Sequence, residues 1–456
     1  ECSRLNPWHR FAPLRRRDAT PAKQLRYRQI GDTRTEKGDR LMTIDTARSP
    51  ASRAAGLERL AHFVPQAGRD YATGRNSDPG PDQPGAVSRL SPYVRHRLIT
   101  EQEIVASVLQ RHSLNAAEKY VQEVLWRTYW KGWLEMRPSV WTQFQEERDR
   151  QRDSFPNARA IRNAEAGQTG IEGFDDWARE LVETGYLHNH ARMWFASIWI
   201  FTLRLPWALG ADFFLRHLVD ADAASNTLSW RWVAGLQTAG KTYLATTDNI
   251  ARYTNGRFAP KGLATTAAIP ADLTVINQRS VPSSAQLDKQ KPALLLVTPD
   301  DMNPESLFSS STAIKKAVVA ADPAILWGDN ARAFVASAAS DAAERIGGTF
   351  KCPTNIFDTF DVETLITQAK QAGAEQIVTA YAPVGPVADL LAQFAPRLER
   401  EGIPLVQIRR SWDEKFWPHA TKGFFPFKEK IPKILGEIGS KDSLQFALEL
   451  HSRSAS

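Results

Sequence analysis

The stretch His188–Trp232 reads HNHARMWFASIWIFTLRLPWALGADFFLRHLVDADAASNTLSWRW. Asp220 and Asp222 stand two apart where a helix gives way to a loop, and Arg192 lies on the apolar helix before them. In an arbitrary protein such carboxylates are solvated helix caps. Beside an arginine on an apolar helix they form a plausible buried ion pair, because an unpartnered charge there is costly. Ten of the fourteen tryptophans lie between Trp126 and Trp232. That density serves helix packing, and it is also what base stacking, a planar cofactor or electron conduction through aromatic rings requires. His188 and His190 alternate around Asn189 with no cysteine or acidic cluster nearby, so no metal site is read there. A phosphate loop, a dinucleotide glycine fingerprint, a His-Glu-x-x-His helix and a nucleophile elbow are all missing from the sequence.

The elements that carry these residues are mostly helical. Apolar residues recur near 3.6-residue spacing in Glu101–Leu109 and Ala116–Leu134, Phe174–Thr184 stops at Gly185, and His190–Phe201 and Ala211–Val219 follow, separated by Pro206 and Gly210. Residues 42–262 read as one all-α domain and 263–291 as a linker. In residues 292–440 the short apolar runs Ala293–Thr298, Ala324–Trp327, Gln376–Ala380 and Leu405–Ile408 alternate with helical stretches at Ser311–Ala320, Ala331–Ile346, Val362–Gly373 and Val387–Glu401. That alternation predicts a smaller α/β domain with a doubly wound, Rossmann-like parallel sheet. Residues 441–456 form a tail.

The chain of 456 residues is long enough for two or three domains, and its 42% hydrophobic and 24% charged residues exclude collagen-like and wholly disordered classes. The net charge of +7 points less to nucleic acid than it first suggests, since residues 1–41 alone contribute +6. That segment is read as an extension without order, upstream of Met42, rather than as a folded DNA-binding part. Two cysteines, Cys2 and Cys352, support neither a disulfide framework nor a zinc site and fit a cytoplasmic setting. No apolar run approaches a membrane span.

His188–Trp232 resembles the flavin-binding core of the photolyase/cryptochrome family. YATGRN (Tyr71–Asn76), SRLSPYV (Ser88–Val94), QEVLWRTYW (Gln122–Trp130) and GQTG (Gly167–Gly170) occur in the family's order over about 200 residues. The resemblance implies bound FAD, with Arg192 and Asp220 paired beside the ring, Asp222 near ring or ribose, and Asn226 facing the flavin N5. Ser88, Leu90 and Ser91 match the loop that holds the cofactor phosphates, with Pro92 opening the next helix, where anions are favoured. A plain N-cap serine would look the same. Tyr71 matches a further cofactor contact, and Arg75 is placed close by. Glu123, Asn189, Met193 and Trp232 match residues that hold a flipped cyclobutane dimer, Tyr120 stands for the usual tryptophan wall, and Arg127 matches the cavity edge. Trp230 and Trp207 match the inner members of an electron relay.

The sequence departs from the pattern in places. Val87 replaces a threonine before Ser88. The relay's surface tryptophan is replaced by Ala164; Trp177, Trp194 and Trp199 are candidate substitutes, although helical spacing suits core packing better. After Trp232 the family's Asn-Pro-containing lip gives way to AGLQTAGKTYLATTDNIARYTNGRF, where Lys241, Arg252 and Arg257 suit either phosphate or solvent. QIVTAYAPVGPVADLLAQFAPRLEREGIPLVQI and GFFPF (Gly423–Phe427) resemble the end of the family's antenna-type domain, here C-terminal. The expected function is thus light-driven, FAD-dependent splitting of pyrimidine dimers in UV-damaged DNA by a DNA photolyase, a carbon–carbon lyase. A second antenna chromophore of unknown identity is allowed. The alternative is a cryptochrome-like blue-light receptor acting on a signalling partner. No membrane association is expected.

Overall fold

A computed structural model of the chain describes residues 50–439 apart from 82, 84, 239 and 272–275. The expected extension over 1–41, Cys2 and the tail over 441–456 lie outside the described residues.

Between residues 50 and 262 the described chain is helical. Glu101–Arg111 starts on a capping box in which Thr100 and Glu103 satisfy each other's backbone N–H groups. Phe174–Thr184 ends at Gly185, whose φ of 67° supplies the left-handed cap. Glu118–Glu135 covers the stretch expected to be helical at Ala116–Leu134. Asn189–Ser197 runs into a π-helical turn at Ile198–Thr202, closed by Leu203 N–H donating to the Ile198 carbonyl at 2.9 Å. The next helix is Trp207–His217, which corrects the expected start at Ala211. Gly210 does not break it. A Cβ there would lie 2.3 Å from the Trp230 ring, so the glycine marks a close approach rather than a helix end.

Five parallel strands follow: β1 Ala293–Val297, β2 Ile314–Ala320, β3 Thr354–Phe357, β4 Gln376–Ala380 and β5 Leu405–Ile408, in the order β3-β2-β1-β4-β5. Two sequence expectations are corrected. Ser311–Ala320 is not a helix but holds β2, whose apolar end Ala317–Ala320 is buried between neighbouring strands. Ala324–Trp327 is not a strand: Pro323 opens a 3-10 turn there, and the Trp327 ring turns away to meet Trp141 at 5.5 Å. The edge strand β3 was missed because only Thr354–Phe357 forms it and its central residues are exposed.

Alternation along β1 covers both sheet faces. Leu295 and Val297 join the large core that also contains the helical part, whereas Leu294 and Leu296 pack against Leu365, Ile366 and Leu391. The helical part and one sheet face therefore share a core. One joint is Gly132 in the Glu118–Glu135 helix, where a Cβ would stand 2.8 Å from the Trp417 Cα. A Gly-to-Ala change inside a helix normally gains about 0.5–1 kcal/mol. Here overpacking against backbone dominates, and Gly132→Ala is expected to lower stability by about 1–3 kcal/mol. Urea unfolding checks this; a variant as stable as wild type would refute the close joint.

Candidate functional site

A cavity of about 620 Å³ opens in the helical part. It is lined by Tyr71, Ser88, Leu90, Ser91, Arg192, Asp220, Asp222 and Asn226, and also by Tyr120, Glu123, Arg127, Asn189, Met193, Trp230 and Trp232. Residues spread over more than 160 positions in the sequence thus meet at one site. Trp207 lies behind the wall in the core.

Charge organises one side. Asp222 caps the Ala223–Val233 helix by accepting from Ser225 N–H at 2.7 Å. It also meets Arg127 at 2.9 Å, Arg95 at 3.8 Å and Lys131 at 3.9 Å. Burial alone would raise its pKa, but Arg127, Lys131 and Arg95 outweigh that and hold it well below the usual carboxylate range. Asp220 faces Arg192 at 3.5 Å and Arg127 at 3.7 Å, and is likewise kept ionised against its burial. Arg192 is aimed by donating Nε–H to the Leu187 carbonyl at 2.9 Å. Arg127, expected at the cavity edge, is therefore a partner of both carboxylates. Arg95 and Lys131 were missed, although Arg95 follows directly on the quoted SRLSPYV motif.

The other side is suited to a polar aromatic ligand. Asn226 donates its amide N–H to the Ala211 carbonyl at 2.8 Å, which leaves the amide oxygen for a cavity ligand. Burial raises the Glu123 carboxyl above its ordinary value, while Arg75, 3.9 Å away, pulls it back. Glu123 thus presents its carboxyl to the cavity as a hydrogen-bonding group. Tyr71 and Tyr120 stand 5.0 Å apart edge to face, and burial pushes both phenols up, so they stay protonated. Trp232 stacks with Tyr243 at 5.8 Å, so the divergent stretch after Trp232 supplies a backing ring.

Phe425, from GFFPF, lines the same cavity and is 77% exposed. Its neighbour Phe424 stacks on Trp126 at 3.7 Å. Of the basic residues after Trp232, Arg257 is tied to Asp78 at 3.2 Å, Arg252 lies over the Tyr253 ring, and Lys241 is exposed.

Residues 120–289 match the family described as the FAD binding domain of DNA photolyase. Over 185 residues the chain is 35% identical to a deoxyribodipyrimidine photo-lyase of Streptomyces griseus, covering 40% of this chain and 39% of that one. It is 29% identical over 240 residues to one from Synechococcus sp., covering 49% and 44%. The chain therefore spans less than half the length of these relatives. Among solved structures, a Synechocystis sp. PCC6803 cryptochrome aligns at 24% identity and a TM-score of 0.39 over 45% of this chain and 43% of that one. Residues 120–289, which supply most of the cavity lining, are thus similar in sequence to the FAD binding domain of DNA photolyase.

The cavity fits that cofactor. Its volume lies within the roughly 300–1,000 Å³ usual for ligand sites. Two of its lining residues keep a buried polar atom without a protein partner, Ser225 Oγ and Trp230 Nε1. Asp222 and Asp220 supply fixed negative charge, and Ser88 and Ser91 add hydroxyls at one end.

The network makes the site sensitive to acid. His96 is buried beside it, Nδ1 2.6 Å from the Pro299 carbonyl oxygen. Burial, with the charges of Arg95, Lys131 and Arg127, lowers its pKa from 6.5 to about 3. Above pH 6.5 the folded and unfolded states are both neutral at this residue; below it only the unfolded chain takes up the proton. Stability contributed this way is complete above pH 6.5 and is lost as pH falls toward 3. The urea midpoint is expected to drop between about pH 7 and about pH 5, and His96→Asn to flatten that slope. Equal midpoints at both pH values would refute it.

Proposed function

We propose that the protein repairs cyclobutane pyrimidine dimers in DNA under blue or near-UV light. One observation carries the reading: Glu123, Asn189, Met193 and Trp232 share a cavity with Arg192, Asp220, Asp222 and Asn226. The first group suits the edges and faces of a flipped pyrimidine dimer, and the second suits the cofactor. When bound, FAD supplies the light-driven one-electron chemistry. Glu123 and Asn189 orient the lesion by hydrogen bonds. Met193, Tyr120 and Trp232 wall it from water, and stacking on such rings tolerates any base. Phe425 stands at the mouth as an apolar wedge, the kind of side chain that props open a base step. The photolyase names of the relatives support the same reading.

A second reading, a cryptochrome-like light receptor, draws on the altered lip after Trp232. The C-terminal sheet then reads as an antenna-type domain placed behind the FAD-binding part in either case.

The deciding experiment incubates FAD-loaded protein with an oligonucleotide containing one dimer, illuminates it, and measures dimer loss. Repair is expected. Glu123→Ala removes a charge-capable hydrogen bond to the bases and is expected to slow repair roughly tenfold to a hundredfold. No dimer loss and no preference for the damaged strand would overturn repair in favour of the receptor.

A further inference from the structure

In doubly wound parallel sheets, ligands are held outside the carboxyl ends of the strands, where the strand order reverses. In this sheet β1 lies between β2 and β4, so the turn over residues 298–302 occupies that place. It grips a side chain of the helical part. Asp300, 5% exposed, accepts from Arg95 Nη1 at 2.5 Å. The turn is fixed to the same segment on both sides: His96 Nδ1 meets the Pro299 carbonyl oxygen at 2.6 Å, and Met302 N–H donates to the His96 carbonyl at 2.9 Å. The adjacent Asp301 is taken up by Arg410 at 2.6 Å and Arg97 at 3.6 Å.

Arg95 is shared between two carboxylates, and unequally. Its Nη1 is bound to Asp300, whereas its Nε stands 3.8 Å from Asp222 Oδ2, too far for a hydrogen bond, and has no partner of its own. Burial alone would lower the Arg95 pKa, but Asp300 and then Asp222 outweigh it and keep the guanidinium charged. Asp300 therefore does two things. It holds Arg95 back from Asp222, which lines the cavity, and it offsets one of the positive charges gathered there. Arg95, Arg127, Lys131 and Arg192 face only Asp220 and Asp222 on the cavity side. Without Asp300 that wall becomes more positive by a full charge, in a buried place where salt screens little.

We propose that Asp300 is a positioning residue of the cofactor site: by holding Arg95 it sets the reduction potential of FAD bound in the cavity. The proposal rests on FAD binding and is independent of DNA repair. Reduction by two electrons and one proton leaves FAD with one more negative charge. Positive charge in the wall favours that form, and Asp300 opposes it. Asp300 does not itself line the cavity, so it acts through Arg95. The edge of the sheet that commonly holds a ligand thus serves the neighbouring flavin site.

Equilibrium redox titration of the purified, FAD-loaded protein at about pH 8, well above the usual carboxylate range, tests this. At a fixed poise Asp300→Asn is expected to raise the ratio of reduced to oxidised FAD about tenfold, a shift of about 30 mV for a two-electron couple. Adding Arg95→Gln to Asp300→Asn is expected to bring the ratio back to within about threefold of wild type, because the two charges cancel. A merely structural role would not be rescued by removing a second buried partner. Glu375→Gln, an equal charge change at an exposed site before β4, should leave the ratio unaltered. A wild-type ratio in Asp300→Asn overturns the proposal, as does a double variant that stays as far from wild type as Asp300→Asn. Should Asp300→Asn fail to fold, a ratio in Arg95→Gln that is not below wild type overturns it. Should neither single variant fold, a double variant shifted about tenfold or more overturns it. A wild-type protein that takes up no FAD overturns the cofactor site itself, which is a separate result.

Discussion

The arrangement depends on keeping Asp222 charged inside the protein. A carboxylate only 4% exposed is tolerable when cations surround it, and here they come from two directions. Arg95 stands on the short Ser91–Arg95 helix, and Arg127 and Lys131 stand one turn apart on Glu118–Glu135. Those cations are themselves buried and need anions in turn. Arg95 continues to Asp300, just beyond β1, at 2.5 Å. Its neighbour Arg97 meets Glu101 and Asp301 at 3.7 and 3.6 Å and Asp413 at 2.7 Å, and Arg410 closes on Asp301 at 2.6 Å. The electrostatics of the cofactor floor are thereby continued into the C-terminal edge of the sheet. Removing one partner from such a chain strands the next, which is why the helical and sheet parts cannot be treated as independent bodies here.

This linkage explains what the sequence made legible. Arg192, Asp220 and Asp222 stand out as charges next to apolar helices, and short range is enough to pair Arg192 with Asp220. Arg95 and Lys131 look like ordinary surface residues in a string, because their anions are contributed by segments far along the chain. Arg127 matched a cavity-edge position and is found between the two carboxylates, for the same reason. Helix periods were readable wherever one face is apolar, as in Glu118–Glu135. They failed at β2, whose lysines and alanines imitate a helix until pairing with β1 and β3 buries the apolar end. Phe425 was quoted within a motif and not assigned to the site, since nothing local says that residue 425 reaches a cavity built from residues 71–233.

One misread boundary, the helix start expected at Ala211, lies behind the cavity, and physical reasons place it there. Helix-breaking logic reads Pro206 and Gly210 as punctuation. Pro206 indeed starts a helix, but its carbonyl also accepts from Trp199 Nε1–H at 2.9 Å. The π turn at Ile198–Thr202 precedes Trp207–His217 and contains Trp199. Gly210 then leaves room for two indoles at once, since a Cβ would lie 2.3 Å from Trp230 and 2.9 Å from Trp199 Nε1. Local propensity is overridden where side chains on two helices must pack ring against backbone. Such departures from local rules are expected at functional sites. Here they set Trp230 between the cavity and the Trp207 helix, so the geometry that defeats the periodicity is the same geometry that connects the cofactor site to the aromatic interior.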